Sequence, residues 1–590
     1  MNTRGYKTGT ALADILRHGS LEFHRQLQHV LSSPDYAVTE KMSQQQRREN
    51  AYNHLRYLVK EIGSTHAVAT DLPALFAVFD WSAVLATDLI PLISGHYNLA
   101  SGSLATLTDA HSAGPYLEDL DDASAIGVML LTEFGCGSNI QFMQTTATFD
   151  PATQEFVLDT PHPRARKFMP SVGIPVSRVC VVGARYLDAN GVDQGVHLFA
   201  ARLRGADGTA APGVRITQLD HQPLVIMDNS VISFDGLRVK RNAWLSNNLA
   251  TIDDNGVLTW RDESSRKRGF ASAISQLTVG RLALSSCLNA AARSSLYIAL
   301  RYASRRAVPL SPNQTPLMLD LPHVRDTLLT DLAGTLARTI YGNAVKTTLA
   351  TSDLTDRDTV VSVMLAKHFI QLHALATVTD ARLKLAAQGM FSANRVADYL
   401  GVCHAAITGE GDCYVLGSVA GRVLAKHLAG KPTPEHVVHD PADPGDRLGL
   451  FQARTLTIVS EAQRYMATSD LADRLAVIPD ALELAEAYCA EEALQLLHQY
   501  ADHPEIVAVR DVFALHLLDQ NAAWYLTRGL LDIAGASTIK RELRRAIDTL
   551  VEHLPAILDA FELDDEILGA PALAEDLPAA WDARCAPTGG

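Results

Sequence analysis

A carboxylate between two glycines stands in the C-terminal half, within the stretch HAAITGEGDCYVLGSVAGRVL. Glu410 lies between Gly409 and Gly411, and Asp412 comes directly before a largely apolar run. Asp412 has the position of a helix-capping residue, because Asp is favoured just before the first helical turn. Capping does not account for Glu410, since its glycine neighbours offer no side chain to pair with it and let another molecule approach the backbone. On this stretch alone, a capped turn and a catalytic carboxylate are both open.

A second stretch with chemically useful residues is LLTEFGCGSN, where helical sequence gives way to strand-like sequence. Residues 132–138 combine hydroxyl groups with glycines, so backbone N–H groups could face a polar ligand. The stretch is neither a GxGxxG dinucleotide-binding motif nor a phosphate-binding P-loop. Taken alone, it is explained as well by a tight connection between two domains.

Composition limits the function classes. The chain has 590 residues, 47% hydrophobic residues, 20% charged residues and a formal net charge of -15, which predicts a globular protein of two to four domains. An acidic chain without a strong basic patch is not expected to bind nucleic acid or an anionic membrane surface. The seven cysteines form no CxxC pair and the 21 histidines form no HxxxH or HExxH pair. We therefore expect a reducing compartment, no disulfide framework and no metal site.

Targeting signals give a similar expectation. The N-terminal residues lack the apolar core and cleavage site of a secretory signal. The most apolar region, from Trp81 to Ala105, is interrupted by Asp88, His96 and Asn98, which favours a buried helix pair over a membrane span. The C-terminal PTGG is not a peroxisomal S-K-L signal, and the alanine-rich composition favours a bacterial cytoplasmic enzyme without membrane insertion.

The order of sequence patterns predicts the domain organisation. Apolar residues repeat at three- and four-residue spacing from residue 10 to about 120, short β-branched or alternating runs follow, and long helical patterns resume after Arg268. A Pro- and Gly-containing break at 430–446 predicts a domain junction, and the stretch after residue 568 reads as a loosely held tail. We predict an N-terminal helical domain (1–125), a β domain (126–245), a C-terminal helix bundle (246–435) and a second C-terminal helical domain with the tail (436–590).

Several of these segments together resemble the acyl-CoA oxidase and acyl-CoA dehydrogenase superfamily, on the oxidase side. The resemblance rests on T-E-F-G-C-G-S-N followed by TTATFDPATQEFVLDTP, on GVHLFAARLRG and PGVRITQL, and on ITGEGDCYVLGSVAGRVLAKHL. It covers most of residues 75–430. It implies an α+β fold with an N-terminal helical domain, a central antiparallel β-barrel domain, a C-terminal four-helix bundle and an additional C-terminal helical domain.

The resemblance also implies a reaction. In this superfamily FAD is the cofactor, and a glutamate at the position of Glu410 removes the α-proton of an acyl thioester while the β-hydrogen leaves as hydride to flavin N5. The thioester carbonyl accepts hydrogen bonds from the base's own backbone N–H and from a flavin ribose hydroxyl. For an oxidase, the substrate is an acyl-CoA, the product is the trans-2-enoyl thioester, and O2 takes the electrons to give H2O2. The family also implies a homodimer whose subunits complete each other's cofactor site.

Further site residues are carried over by position. The residues that the resemblance assigns to the cofactor are Thr132, Gly137, Ser138, Phe168, Ser171, Arg306 (or its neighbour Arg305), Gly389 and Asp412. Those assigned to the substrate are Ser138, Arg281 and Gly409. Arg306 is explained equally well as a surface arginine at the end of a helix.

The sequence also departs from the family pattern. Gly409 stands where an aromatic residue usually precedes the base, Cys413 replaces an asparagine, Ser171 replaces a glycine, and Leu385–Met390 replaces a C-G-G-H-G-Y segment. Residues 319–323 replace a Gln-rich segment. These changes predict a divergent member in which Gly409 opens space for a bulky, branched or carrier-bound acyl group.

Three alternatives accompany the oxidase prediction. A dehydrogenase of the same fold would pass electrons to a flavoprotein carrier. A flavin monooxygenase is disfavoured by the presence of Glu410. A non-catalytic binding or scaffolding homologue would have lost its flavin, which the joint presence of Thr132, Gly137, Ser138 and Glu410 disfavours.

Overall fold

The computed structural model describes residues 11–36, 42–220, 222, 224–431, 439–466 and 471–585. The chain divides into two compact units. We call the first the sheet unit, formed by residues 19–283 and 349–360. The second is the bundle unit, formed by the described residues of 1–18, 284–348 and 361–590.

The N-terminal region is helical, as its apolar spacing predicts. Ser20, Ser43, Ser64, Asp71 and Asp109 each accept a backbone N–H at the start of a helix, which satisfies donors that have no partner inside the helix. The α-helices before the first strand are α1 (Ala11–Leu16), α2 (Leu21–Leu31), α3 (Gln44–Ile62), α4 (Thr65–Thr70), α5 (Leu72–Leu85), α6 (Ile90–Ile93), α7 (Ser103–Leu107) and α8 (Ala110–Asp121). A π-helix, Ser94–Gly102, joins α6 to α7.

Eleven strands follow α8 in the described part of the chain, which confirms the predicted change to β structure. They are β1 (Ile126–Leu130), β2 (Thr146–Asp150), β3 (Glu155–Asp159), β4 (Lys167–Ser171), β5 (Arg178–Leu187), β6 (Asp193–Arg204), β7 (Val214–Gln218), β8 (Asn229–Phe234), β9 (Leu237–Lys240), β10 (Ala250–Ile252) and β11 (Leu258–Trp260).

Strand β5 is the centre of the largest sheet. This six-stranded sheet has the order β1-β5-β2-β3-β9, with β6 on the other edge of β5. Strands β4, β8 and β7 form a separate three-stranded sheet, and β10 pairs with β11. Most strand pairs are antiparallel, as expected, but β1 and β2 both run parallel to β5, which the expectation of an antiparallel β domain did not include. Residues 179–184 are all buried, and a continuously buried apolar strand is typical of parallel pairing.

Long helices resume after the sheets, as predicted. They are α9 (Glu263–Ala273), α10 (Gln276–Ala303), α11 (Pro322–Leu349), α12 (Arg357–Lys384), α13 (Val396–Ala406) and α14 (Cys413–His427). Within the described residues, α12 alone is long and apolar enough to cross a membrane by length and composition. Of its most apolar window, 56% is buried inside the protein, which is the pattern of a core helix in a bundle.

A further group of helices completes the bundle unit. They are α15 (Pro444–Met466), α16 (Leu471–Ala476), α17 (Ile478–His498), α18 (Pro504–Gln520), α19 (Ala522–Thr527), α20 (Ile533–Ala560), α21 (Asp565–Leu568) and α22 (Leu577–Cys585). Part of the predicted junction at 430–446 lies outside the described residues, which omit 432–438.

The prediction of a loosely held C-terminal tail is wrong as far as Cys585. Ala572 N donates to Asn394 Oδ1 at 2.8 Å, and Trp581 Nε1 donates to Gln388 Oε1 at 3.0 Å. The short segment Pro571–Leu573 is buried. Its Pro- and Ala-rich composition resembles a linker, but its partners lie far away in sequence, at Asn394 before α13 and at Arg305 beyond α10.

Close packing of α14 against α17 provides a test of the bundle unit. A Cβ atom on Gly421 would lie 1.9 Å from the carbonyl oxygen of Ala481, so Gly421→Ala should lower the free energy of unfolding by about 1–3 kcal/mol. Thermal unfolding followed by circular dichroism measures the loss. Gly114→Ala is the matched control, because nothing lies within 4 Å of that Cβ position. A Gly421→Ala variant as stable as Gly114→Ala would contradict the packing.

Candidate active site

The TEFGCGS stretch leaves the large sheet through a gap on one edge of β5. Strand β1 pairs with β5 as far as Val182, and β2 pairs with it from Arg185 onward. The connection between β1 and β2, residues 131–145, is therefore placed opposite Gly183. A Cβ atom on Gly183 would lie 2.7 Å from Leu131 Cδ2, so glycine here lets the Leu131 side chain pack directly against β5. We call residues 131–145 the sheet loop.

A buried ion pair fixes the sheet loop. Glu133 and Lys167 are almost fully buried, and their charged groups lie 2.9 Å apart. The Glu133 carboxylate also accepts hydrogen bonds from Gln144 N at 2.7 Å, Thr145 N at 3.0 Å and Thr145 Oγ1 at 2.6 Å. Lys167 Nζ donates to Leu131 O at 3.3 Å. One carboxylate thus joins both ends of the sheet loop to strand β4.

These contacts determine the ionisation of the pair. Burial raises the pKa of Glu133, but the Lys167 charge and the hydrogen bonds from Thr145 and Gln144 outweigh burial, so the net pKa lies below the ordinary value. Burial lowers the pKa of Lys167, and the charge of Glu133 opposes that effect. The carboxylate is accordingly ionised at neutral pH and keeps the loop closed onto β4.

The other side of the sheet loop is open. Thr132, Gly137 and Ser138 are exposed. Gly137 has a φ of +50°, and nothing lies within 4 Å of the position of a Cβ atom there. The structure brings these three predicted cofactor residues together on one loop, with accessible backbone groups that a polar ligand edge can approach.

Strand β4 places an aromatic face beside this loop. Phe168 N donates to Thr132 O at 3.0 Å, and the rings of Phe168 and Phe134 lie 4.4 Å apart with an angle of 34° between their planes. Ser171 is buried and pairs with Asn229 of β8. Open loop backbone next to an aromatic face fits a planar cofactor with polar edges, as FAD is. Within the sheet unit, Thr132, Gly137, Ser138 and Phe168 are the residues suited to hold it, and Ser171 supports the strand.

In the bundle unit, the GEGD stretch forms a tight turn between α13 and α14. Asp412 Oδ1 accepts from Tyr414 N at 2.8 Å and Val415 N at 3.1 Å, so the expectation of a helix cap is confirmed for Asp412. Glu410 has a φ of +54° and Gly411 a φ of +104°. A glutamate in the left-handed region is uncommon and costs free energy, and such conformations cluster at functional sites. Capping accordingly explains Asp412 and leaves Glu410 as the candidate base.

Two residues of helix α12 contact this turn and the helix ends beside it. Lys367 is fully buried, and its Nζ donates to Ala406 O at 3.3 Å and to Gly409 O. His368 Nδ1 lies 3.2 Å from Cys413 O. Sequence reasoning missed both α12 residues. The available signal was an ionisable residue inside the apolar run VMLAKHFIQL, because a charge there must find buried partners.

The remaining predicted residues lie on other segments of the two units, apart from Gly409 in the turn itself. Arg306 is exposed just beyond α10, whereas Arg305 is engaged with Leu573 O and with Asp565 at 3.2 Å. This favours Arg306 over Arg305 as the arginine that could reach a ligand. Arg281 is buried on the part of α10 that belongs to the sheet unit.

Gly389 is buried in a 3-10 turn beyond the C-terminal end of α12. A Cβ atom on Gly389 would lie 2.4 Å from Arg382 O. The requirement for glycine here is explained by packing against α12. Gly409 differs, because its Cβ position has 3.4 Å to the nearest atom, Ala406 O, and a side chain could be accommodated there.

Comparison with known proteins finds similarity to acyl-CoA oxidases, both in a domain family and in whole proteins. Residues 275–425 match the domain family described as "Acyl-CoA oxidase, C-alpha1 domain". A putative acyl-coenzyme A oxidase 3.2 of Arabidopsis thaliana, named as peroxisomal, is 30% identical over 406 residues, which are 67% of this chain and 59% of that protein. The peroxisomal acyl-coenzyme A oxidase 3 of the same plant is 28% identical over 77% of this chain and 72% of its own length.

Solved structures show the same fold over almost the whole chain. The crystal structure of acyl-CoA oxidase 1 from Yarrowia lipolytica aligns with a TM-score of 0.84 at 20% identity and covers 99% of this chain and 93% of that one. Acyl-CoA oxidase 2 of Caenorhabditis elegans, described as bound with FAD, ascaroside-CoA and ATP, aligns with a TM-score of 0.83 at 16% identity and covers 98% and 92%. These likenesses confirm the predicted fold class.

Removing the carboxylate of the buried pair should open the sheet loop. Glu133→Gln leaves the Lys167 ammonium buried without its counter-charge, which typically costs about 3–5 kcal/mol. Hydrogen exchange followed by mass spectrometry should show faster exchange across 131–145, and Glu133→Gln/Lys167→Met should recover much of the protection. Asp235→Asn, which breaks the exposed pair of Arg215 and Asp235, is the control with little effect. Unchanged exchange in Glu133→Gln would contradict the fixing role.

Acid should open the same loop. The pKa of Glu133 is lower in the folded protein than its ordinary value, so its stabilising contribution is present above the unfolded pKa and is lost as the pH falls through the folded pKa. We expect the protection of the amides of 131–145, which compares their exchange rate with that of an unfolded chain at the same pH, to fall below about pH 4, close to the ordinary pKa of a glutamate. The Glu133→Gln variant should lack this acid-dependent step. An identical pH profile in the variant would show that another group controls the loop.

Proposed function

We propose that this chain, a divergent relative of the acyl-CoA oxidases in sequence and fold, is an FAD-dependent enzyme that oxidises an acyl-CoA to its trans-2-enoyl thioester. One observation carries the proposal. Within the segment that matches the acyl-CoA oxidase domain, Glu410 is held between two glycines in a left-handed turn. A carboxylate kept in a strained, glycine-flanked turn is what a base needs when a substrate must reach it closely.

Glu410 is the general base in this proposal. Its carboxylate removes a proton from C2 of the acyl chain, and the backbone N–H of the same residue donates a hydrogen bond to the thioester carbonyl, which makes that proton more acidic. FAD, when bound, supplies the acceptor for the hydride that leaves C3. Base and acceptor must lie on opposite sides of the C2–C3 bond, so the contribution of the chain is alignment.

The residues proposed to contact the flavin of FAD lie mainly in the sheet unit. Thr132, Gly137 and Ser138 contact the cofactor through the open side of the sheet loop, and Phe168 contributes the aromatic face beside it. Their support is the exposure and spacing described above. Arg306, which is exposed beyond α10, is proposed to meet the cofactor diphosphate in a homodimer. Gly389 keeps its proposed cofactor role from the sequence resemblance alone, because packing against α12 accounts for its glycine. Asp412 lies next to the base and keeps its turn in place.

The substrate side involves fewer residues. Arg281 lies near the acyl thioester, Ser138 is shared between cofactor and thioester, and Gly409 leaves room for the acyl chain. The absence of a side chain at Gly409 supports a bulky or branched acyl group. A cytoplasmic location is a prediction from the sequence, whereas the named plant relatives are peroxisomal.

We propose O2 as the electron acceptor, giving H2O2. The main alternative is a dehydrogenase that passes electrons to a flavoprotein carrier. An anaerobic titration of the purified protein with octanoyl-CoA, followed through the visible flavin absorbance and then by admission of air, separates the two. The proposal expects bleaching followed by rapid recovery with peroxide, whereas bleaching that persists in air indicates a dehydrogenase. Protein without flavin absorbance would exclude both and favour a non-catalytic homologue.

Neutralising the base should slow flavin reduction strongly without loss of the cofactor. Glu410→Gln removes the proton acceptor, so we expect the anaerobic rate of bleaching by octanoyl-CoA to fall about 10²–10⁴-fold. Stopped-flow absorbance measures the rate. The ratio of visible flavin absorbance to protein absorbance measures retained FAD, and this ratio should match that of wild type. Glu552→Gln, on the exposed side of α20, is the matched control and should react as wild type does. A Glu410→Gln variant with the wild-type rate would refute Glu410 as the base.

A further inference from the structure

The carbonyl group that precedes the candidate base has an unusual partner. Lys367 Nζ donates a hydrogen bond to Gly409 O and a second one, 3.3 Å long, to Ala406 O. The lysine is fully buried in α12, a helix far from the turn in sequence. An ammonium group taken out of water is tolerated only when polar atoms replace its hydration. Two carbonyl groups contribute to this replacement, one at the C-terminal end of α13 and one in the turn that carries the base.

Peptide geometry gives this contact a consequence for the reaction. Gly409 O and Glu410 N belong to one planar trans peptide group, so the N–H points away from the side where the C=O meets Lys367. The positive charge of Lys367 next to the carbonyl oxygen also polarises the peptide group and makes its N–H a stronger donor. The same contact fixes the peptide plane next to a residue whose φ of +54° is unfavourable without support.

The neighbours of Lys367 act on the same turn. His368 Nδ1 lies 3.2 Å from Cys413 O, and Cys413 Sγ lies 3.4 Å from the side-chain amide of Gln371. A Cβ atom on Gly417 would lie 2.6 Å from His368 Nδ1, which shows how closely α14 approaches α12. The turn is therefore held on both sides of Glu410, at Gly409 by Lys367 and at Cys413 by His368.

We propose that Lys367 is a positioning residue for the base, holding and polarising the Gly409–Glu410 peptide so that the Glu410 N–H serves as a hydrogen-bond donor to the thioester carbonyl. This inference rests on the proposed function. Lys367 acts through the peptide group and does not itself contact the substrate. Its removal affects the carbonyl interaction first and the retention of FAD little.

The rate of reduction provides the first test. In Lys367→Met the stem of the side chain remains and the ammonium is lost, while the Glu410 N–H stays. We therefore expect the anaerobic bleaching rate with octanoyl-CoA to fall at least about tenfold, and by less than the 10²–10³-fold, roughly, that the loss of a whole oxyanion donor costs. The flavin content should change little, and the octanoyl-CoA concentration at half-maximal rate should rise several-fold. Lys426→Met, which alters an exposed lysine of α14, should react as wild type does. A wild-type rate in Lys367→Met would overturn the proposal.

An equilibrium test separates carbonyl recognition from a general structural effect. In the Glu410→Gln background, octanoyl-CoA is a non-reacting ligand, and S-octyl-CoA is its thioether analogue without the carbonyl oxygen. Adding Lys367→Met should weaken octanoyl-CoA several-fold, up to about tenfold, the range expected for one hydrogen bond. The affinity for S-octyl-CoA should stay unchanged. Equal weakening of both ligands, or of neither, would overturn the role of Lys367 in carbonyl recognition.

Two further outcomes complete the test. If Lys367→Met fails to fold, Lys367→Gln replaces it, because its amide keeps a neutral N–H donor; the same selective loss with a smaller magnitude is expected, and no selectivity overturns the proposal. If wild-type protein is neither bleached by nor binds octanoyl-CoA, the proposed function fails together with the role of Lys367. A wild-type protein that reacts alongside an unaltered Lys367→Met protein overturns the role of Lys367 alone.

Discussion

A buried charge must keep its polar partners, and two fully buried lysines meet this constraint, one at the sheet loop of the sheet unit and one at the GEGD turn of the bundle unit. Lys167 meets a carboxylate, so the sheet loop is tied to β4 through Glu133. Lys367 meets two carbonyl groups, so the turn that bears Glu410 is tied to α12. Loss of either set of partners would leave a charge in a medium of low dielectric constant, at a cost of several kcal/mol. Loops that otherwise offer mainly glycines and short polar residues thereby acquire defined conformations.

The two loops are fixed in different ways. The sheet loop is held by side chains on its inner surface, which leaves the backbone around Gly137 open for a ligand. The GEGD turn is held through its backbone, by Lys367 at Gly409 O and by the cap of Asp412. The carboxylate of Glu410 is thereby kept in a left-handed turn whose position is set by its neighbours. Precise placement of the donor and acceptor groups is the main contribution that a protein makes to flavin chemistry.

Local sequence patterns predicted what depends on local structure. The order of helices and strands followed from apolar spacing, and the cap at Asp412 followed from its residue type and position. Contacts between distant segments were not predictable in this way. The parallel partners of β5, the carbonyl partners of Lys367 and the packing of Trp581 onto Gln388 each depend on residues far apart in the chain. A lone lysine in an apolar run signals a buried charge, but its partners appear only in the fold.

The most direct test of Glu410 as the base is the rate of flavin bleaching by octanoyl-CoA carrying deuterium at C2. Stopped-flow absorbance of the wild-type protein under anaerobic conditions gives this rate next to that of the unlabelled substrate. Removal of a proton from C2 by Glu410 predicts that the deuterated substrate reacts several-fold more slowly, because that C–H bond breaks during the reduction. Equal rates for the two substrates, together with undiminished bleaching in Glu410→Gln, would contradict the account.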